Sequence, residues 1–537
     1  MIDFKPGLDV AAKRLQAEIP APRCDKPLMY EADTIARLIE RCNADTPALA
    51  APGRSALSYA GLRMLIERTA RSIRALGIGL GDRVAIVLPN GPEMASAFLA
   101  VGSNATAAPL NPGYRPREFD FYLSDLNAKA LLIFAGMDSP ARDVADTRGI
   151  PIIELEVDPA KPAGEFSLHN VGPAPAHPAG GGPGGPDDIA LVLHTSGTTS
   201  QPKIVPLSHR NVTASAVNIT RTLDLSRADV CLNIMPLFHI HGLIGAVLSS
   251  IAAGASIACA PNFDALKFFR WFAETNPTWY TAVPTMHQAI LGRAARNPEV
   301  IAAGRLRLIR SSSSSLPPQV MHELEKVFGA PVIEAYGMTE AAHQMASNPL
   351  PPGERLAGSV GIAAGPEIAI MNDAGDILKA KEIGEVVIRG RNVTTGYENN
   401  PDANAKAWTR GWFRTGDQGY LDDAGYLRLT GRLKEMINRG GEKITPLEIE
   451  VALLDHPAVA QAVAFAIPHA LLGEEVAAAI VLHEKLTADE QELREFVSAR
   501  LAQFKVPRKI VFLETIPKGP TGKLQRIGLA KVLGLEP

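Results

Sequence analysis

Charge of one sign, paired cysteines and long hydrophobic runs are all scarce in this chain, and each shortage removes a class of function. Lys and Arg number 54 against 57 Asp and Glu over 537 residues. No long single-sign run is present, so neither a nucleic-acid face nor a membrane-binding polybasic patch is expected. The four cysteines, Cys24, Cys42, Cys231 and Cys259, are scattered with no C-x-x-C spacing. That predicts reduced thiols in a cytoplasmic protein rather than a disulfide framework or a cysteine metal site. The most apolar stretch, Leu243 to Ala260, is broken by Ser249, Ser250, Gly254 and Ser256; it predicts a helix turning into a buried strand, not a membrane span. Met1 to Gly7 lack the continuous apolar core of a signal peptide, and Gly534-Leu535-Glu536-Pro537 does not match a peroxisomal tripeptide. A Walker A loop is missing too. The Gly-Lys pair Gly522-Lys523 is followed by Leu524, where that loop requires Ser or Thr.

What is present suits a multidomain enzyme: a chain too long for one core, 46% apolar and 21% charged. Residues 34–160 alternate amphipathic helical patterns (Thr34 to Glu40) with apolar strands (Arg83 to Leu88, Ala130 to Phe134). From 159 to 187 the chain is dense in Pro, Gly and Ala, as in a connector or mobile loop. A second α/β region runs from about 188 to 350, a strand-rich stretch follows to about 432, and the last hundred residues return to compact α/β patterning, with a helix expected over Gln491 to Gln503.

The most telling segment is Thr195-Ser196-Gly197-Thr198-Thr199-Ser200-Gln201-Pro202-Lys203, which follows the apolar run Ala190 to Leu193 and precedes Ile204-Val205-Pro206-Leu207. A hairpin tip this rich in hydroxyls, with a glycine and an ammonium, offers donors to a polyanion such as a nucleotide triphosphate. A polar surface turn would have similar composition. Four further segments carry chemistry. Glu334-Ala335-Tyr336-Gly337-Met338-Thr339-Glu340 combines an aromatic face, a hydroxyl and a carboxylate at a strand end, the last suited to a hard divalent cation. Gly416-Asp417 sets an acid in a tight turn, where it can accept from ribose hydroxyls. Leu429 to Ile444 is rich in charge and glycine, as a hinge requires. Pro517-Lys518-Gly519-Pro520-Thr521-Gly522-Lys523 holds a lysine between turns.

In this order the five segments resemble the adenylate-forming superfamily of acyl-CoA synthetases, luciferases and adenylation domains, over roughly residues 34 to 530. The resemblance implies an α/β fold. A large N-terminal domain (34–432, two α/β subdomains and a distorted β-barrel) would be joined by a hinge at 433–435 to a small mobile α+β domain (436–537). Residues 1–33 would be an extension. It implies ATP, CoA and Mg²⁺ as cofactors and a small carboxylic acid as substrate. By the same resemblance Thr195, Ser196, Gly197, Thr198, Thr199 and Lys203 hold the β- and γ-phosphates. Ala335, Tyr336 and Gly337 border the adenine, Thr339 reaches the α-phosphate and Glu340 binds Mg²⁺. Asp417 takes the ribose hydroxyls with help from Arg432. Lys523 bridges carboxylate and α-phosphate, Lys434 is the pivot, and Arg439, Gly440 and Gly441 line the pantetheine tunnel. Ser200 and Ile204 depart from the pattern, where glycines are common.

Pro236 to Gly242 carries His239 and His241, a pair whose zinc reading lacks further ligands nearby. In the resembled family His239 gates the acid site, while His241, Ser313 and His343 line it. Two imidazoles and a hydroxyl suit a short acid with a second polar end. The segments Trp279 to His287 and Met338 to Pro351 closely resemble those of oxalate–CoA ligases, which implies oxalate. A CoA ligase for another short acid (glycolate, malonate, a short or medium fatty acid) and a stand-alone enzyme loading a carrier protein are the alternatives. Nothing in the sequence sets an oligomeric state.

Overall fold

A computed structural model describes residues 32–171, 179–195, 202–518 and 524–536. Two large sheets form the body. One has seven strands, with Arg83–Val87, Thr106–Pro109, Ala130–Phe134, Ile152–Glu156 and Ile189–His194 running parallel. The other has nine, with a parallel centre that includes Val230–Asn233, Trp279–Ala282, Leu308–Ser312 and Val332–Met338. Parallel strands are covered on both faces, which explains their nearly unbroken apolar sequences.

The covering helices are shared between the sheets. Every residue of the helix Pro92–Gly102 is buried. One core cluster joins its Phe98 and Leu99 to Val84, Ile86 and Leu191 of the first sheet and to Ile257, Trp279 and Leu308 of the second. The helix His209–Thr222 lies in the same core. Beyond these layers come a five-stranded antiparallel sheet built on Glu367–Met371, Gly384–Arg389 and Trp412–Leu421, and a C-terminal five-stranded mixed sheet built on Val459–His469 and Gly473–Leu482. The two α/β units, the antiparallel layer and the small C-terminal unit match the expected α/β class.

Three local expectations differ. Residues 241–248 are wound as a π-helix rather than an ordinary helix, and the segment continues as Ser249–Ala252 before the strand Ser256–Cys259. The helix expected over Gln491 to Gln503 is Glu490–Ser498, capped by Asp489, with a separate 3₁₀ turn at Gln503–Lys505. The Pro/Gly-rich 159–187 region is not all connector: Ser167–Val171, a proline- and glycine-free stretch between Pro162 and Pro173, is an edge strand on Ile152–Glu156 whose residues alternate in exposure. Residues 1–31 of the expected extension lie outside the described residues; Ala32 is already buried in the core. Among the described residues no helix is long and apolar enough to cross a membrane.

Because Phe98 is fully buried between the sheets, Phe98→Ala is expected to cost roughly 3–5 kcal/mol, read as a lowered denaturation midpoint.

Candidate active site

The nine-stranded sheet delivers polar side chains at the C-terminal ends of adjacent strands, where ligands of α/β folds bind. Ala335 and Tyr336 are buried near the end of Val332–Met338, and Gly337 follows at a register shift against His343–Ser347. A Cβ on Gly337 would lie 1.8 Å from the carbonyl oxygen of His343, so only glycine allows the two strands to approach this closely. The Tyr336 hydroxyl donates to Asp417 Oδ2 at 2.5 Å, and Arg432 Nε donates to Asp417 Oδ1 at 2.9 Å. Asp417 and Arg432 face each other on paired strands. Burial pushes the Tyr336 phenol well above its ordinary value, with the neighbouring Asp417 charge adding to it. Asp417 in turn raises Arg432.

Thr339 and Glu340 lie in a 3₁₀ turn that directly follows the Tyr336 strand. Glu340 is buried, and burial raises its carboxyl. Its Oε1 accepts from the Tyr397 hydroxyl at 2.7 Å, while Lys203 Nζ sits 4.2 Å from the centre of the same Tyr397 ring. Burial, followed by repulsion from Lys434, lowers Lys203. Lys203 therefore lies between the charge of Lys434, which repels it, and the buried Glu340 carboxylate, which attracts it. Glu340 is the kind of oxygen donor that a hard divalent cation takes.

Ile189–His194 and Ile204–Ser208 pair as an antiparallel hairpin. Its open end is fixed by Thr195 N–H donating to the Lys203 carbonyl at 3.0 Å and by Lys203 N–H donating to Thr195 Oγ1 at 3.2 Å. Ser196, Gly197, Thr198, Thr199 and the unusual Ser200 lie outside the described residues, as does Lys523. The unusual Ile204 has a structural reason: its side chain is 3% exposed within an apolar cluster, and its carbonyl accepts from Glu398 N–H at 3.1 Å. That bond ties the hairpin to the residue after Tyr397. Both carboxylate oxygens of Glu398 also accept from Arg83 Nη2. His194, just before Thr195, is bonded to Asp125 at 2.9 Å, and burial lowers it towards the neutral form. Tyr397, Glu398, Arg83, His194 and Asp125 were not among the expected site residues. Only the adjacency of His194 to Thr195 could have singled one of them out.

The candidate acid pocket forms around His241, the first residue of the π-helix. This buried imidazole contacts Ser313 Oγ through Nδ1 at 3.0 Å and Thr281 Oγ1 through Nε2 at 2.6 Å. His343 meets it edge-on, ring centres 4.9 Å apart. Three residues here hold positive φ without being glycine: Ser313 (75°), Ala342 (47°) and His343 (100°). Such conformations are costly and persist only where packing imposes them, often at functional sites. Gly245 leaves the imidazoles their space, since a Cβ there would lie 2.9 Å from His343 Nε2 and 3.0 Å from His241 Cδ2. His239 lies half-buried at the turn into the π-helix, its Nδ1 3.5 Å from the His241 amide. Among the described residues no group of three or more His, Cys, Asp or Glu converges as a metal site, so the zinc reading of this pair gains no further ligand.

Lys434 is exposed in a single 3₁₀ turn, Leu433–Glu435. Arg439, Gly440 and Gly441 follow at a hairpin tip between Ile437–Arg439 and Glu442–Ile444. Gly440 and Gly441 both have positive φ, 59° and 95°, as the tight turn requires. Arg439 is held by Glu475 at 2.6 Å. The C-terminal chain is pinned on both sides of the Lys523 segment. Lys518 bridges Leu524, and Arg526 bonds Glu435 (next to Lys434), Glu450 and the Ala464 carbonyl.

A fold of this kind, with a hydroxyl-and-lysine hairpin, a Tyr–Asp–Arg triad and a small C-terminal unit beyond a short turn, defines an adenylate-forming enzyme. The AMP-binding enzyme family matches residues 38–398, and the AMP-binding enzyme C-terminal domain matches 448–523. The chain belongs to this family, among its acyl-CoA synthetases. It is 45% identical to an oxalate–CoA ligase of Arabidopsis thaliana over 92% of this chain and 98% of that protein. It is 44% identical to an oxalate–CoA ligase of Saccharomyces cerevisiae, covering 84% and 86% respectively. The crystal structure of ATP-bound MatB from Rhodopseudomonas palustris superposes with a TM-score of 0.82 at 29% identity, covering 94% of this chain and 98% of that one.

Gly245→Ala should displace both imidazoles and lower kcat/KM for the acid at least about tenfold, the scale of a lost positioning contact. The KM for ATP should stay near its wild-type value; steady-state kinetics with each substrate varied in turn checks this.

Proposed function

We propose that the protein is an oxalate–CoA ligase: it adenylates oxalate with ATP, releases pyrophosphate, and transfers the oxalyl group to CoA with release of AMP. What supports the acid's identity is the polar cluster of His241, Ser313 and His343, where the Ser313 hydroxyl and the His343 ring would meet a second carboxylate. A fatty-acid site would be expected to offer apolar lining instead. The oxalate–CoA ligases among the relatives support the same reading. So does a sulfoacetate–CoA ligase of Cupriavidus necator, 34% identical over 93% of this chain and 97% of that protein, since sulfoacetate is also a short acid with a second anionic end.

The first step brings a carboxylate oxygen onto the α-phosphorus as pyrophosphate leaves. Two anions meet, so neutralising and positioning charge is the main task. Lys203, with Thr195, Ser196, Gly197, Thr198 and Thr199, would grip the β- and γ-phosphates. Thr339 would donate to the α-phosphate. Tyr336 would stack beside adenine, bordered by Ala335 and Gly337. Asp417 would accept from the ribose hydroxyls with the lone pairs that Tyr336 and Arg432 leave. Glu340 would hold Mg²⁺, whose charge, when bound, offsets that of the phosphates. Lys523 would bridge carboxylate and α-phosphate, and His239 would guard the entry to the acid pocket. In the second step the CoA thiolate attacks the acyl carbon and AMP leaves. Rotation about Lys434 would withdraw Lys523 and bring Arg439, Gly440 and Gly441 to the pantetheine channel.

On a panel of acids with ATP and CoA, oxalate should give the highest kcat/KM by AMP release. Strong turnover of a monocarboxylate with none of oxalate would sink the assignment. Lys523→Ala should abolish adenylation yet preserve thioester formation from supplied oxalyl-adenylate, and equal loss of both half-reactions would argue against rotation.

A further inference from the structure

Arg310 is fully buried and has no carboxylate partner among the described residues. Its one side-chain hydrogen bond runs from Nη2 to Gln344 Oε1 at 3.2 Å, leaving Nε and Nη1 without partners. The nearest buried acid in the sheet does not compensate it. Glu334 pairs in register with Ser311 rather than with Arg310, so the alternation of the strands puts its side chain on the opposite face, where it accepts from Leu316 N–H. Burial pushes Arg310 down to about 9 and Glu334 up to about 8.

An isolated buried cation is one of the costliest features a core can contain, and native proteins seldom keep one without use. The position of Arg310 suggests the use. It pairs in register with Thr281 across adjacent parallel strands, so their side chains share a face. Thr281 is the residue whose hydroxyl meets His241 Nε2. Its hydrogen-bond partner, Gln344, directly follows His343. The guanidinium is therefore bonded to the residue beside one histidine and shares a strand face with the hydroxyl that meets the other.

We propose that Arg310 is the specificity-determining counter-charge of the acid pocket: its buried positive field favours a dianionic substrate over a monocarboxylate, with Thr281 and Gln344 relaying its position to the two histidines. The proposal rests on the small-dianion assignment above. A field acts over several ångströms in a medium of low dielectric, so Arg310 is a positioning residue that need not touch the acid.

The test compares oxalate with glycolate, in which a neutral hydroxymethyl group replaces the second carboxylate, using the full-length enzyme with ATP, Mg²⁺ and CoA. Arg310→Met removes the charge and keeps the length; Arg310→Lys keeps the charge. In R310M the KM for oxalate should rise by roughly ten- to a hundredfold, the scale of one unscreened charge interaction, with a smaller change in kcat. The oxalate-to-glycolate ratio of kcat/KM should fall by a similar factor, and the KM for ATP should change less than about twofold. R310K should retain most of the ratio. The thermal midpoint of R310M should equal or exceed the wild-type value, because an uncompensated buried charge is lost. R310Q serves as the uncharged variant if R310M fails to fold. Equal loss of both acids, or an unchanged ratio, overturns the role of Arg310. A wild-type preference for glycolate overturns the dianion assignment and this proposal with it.

Discussion

Asp417 is the junction on which the site depends. One carboxylate accepts from Tyr336 of the nine-stranded sheet and from Arg432 at the end of the strand that leads to the Leu433–Glu435 turn. It joins the parallel body, the antiparallel layer and the approach to the small unit in a single charge-assisted contact. Hydrogen bonds to an ionised group are stronger than neutral ones, and this contact adds direction to the apolar cluster in which Tyr336, Ala346, Val386, Phe413 and Leu427 already pack. The second junction, Tyr397, works similarly. Its hydroxyl reaches Glu340 while its ring lies under Lys203, so residues far apart in sequence are held beside one another.

The candidate acid pocket is built with strain and unusual winding. A π-helix begins at His241, and Ser313, Ala342 and His343 all take positive φ without glycine. These choices oppose local preference and are held in place by the shared core of the two sheets.

Much of this was legible in the sequence because it follows from local pattern. Apolar runs such as Ala130 to Phe134 mark parallel strands, and the hydroxyl-rich hairpin after Leu193 stands out by composition. The Tyr336, Glu340 and Asp417 segments were visible because each combines chemistry with turn residues. What escaped was set by tertiary placement. Tyr397 becomes significant only when it meets Glu340 and Lys203, and Thr281 only when His241 leans on it. Ile204 read as a lost glycine until its burial and its bond to Glu398 supplied the reason. The π-winding at His241 has the same apolar composition as an ordinary helix, so periodicity alone does not distinguish them.

The central claim is that this fold activates oxalate by transferring AMP to it. Oxalate carrying oxygen-18 at every position, turned over with ATP and CoA, tests substrate and chemistry together. The account predicts AMP containing one labelled oxygen, because the bridging oxygen from the carboxylate leaves with the phosphate, and a thioester that retains the remaining label. Unlabelled AMP, or label recovered in pyrophosphate or inorganic phosphate, would contradict it.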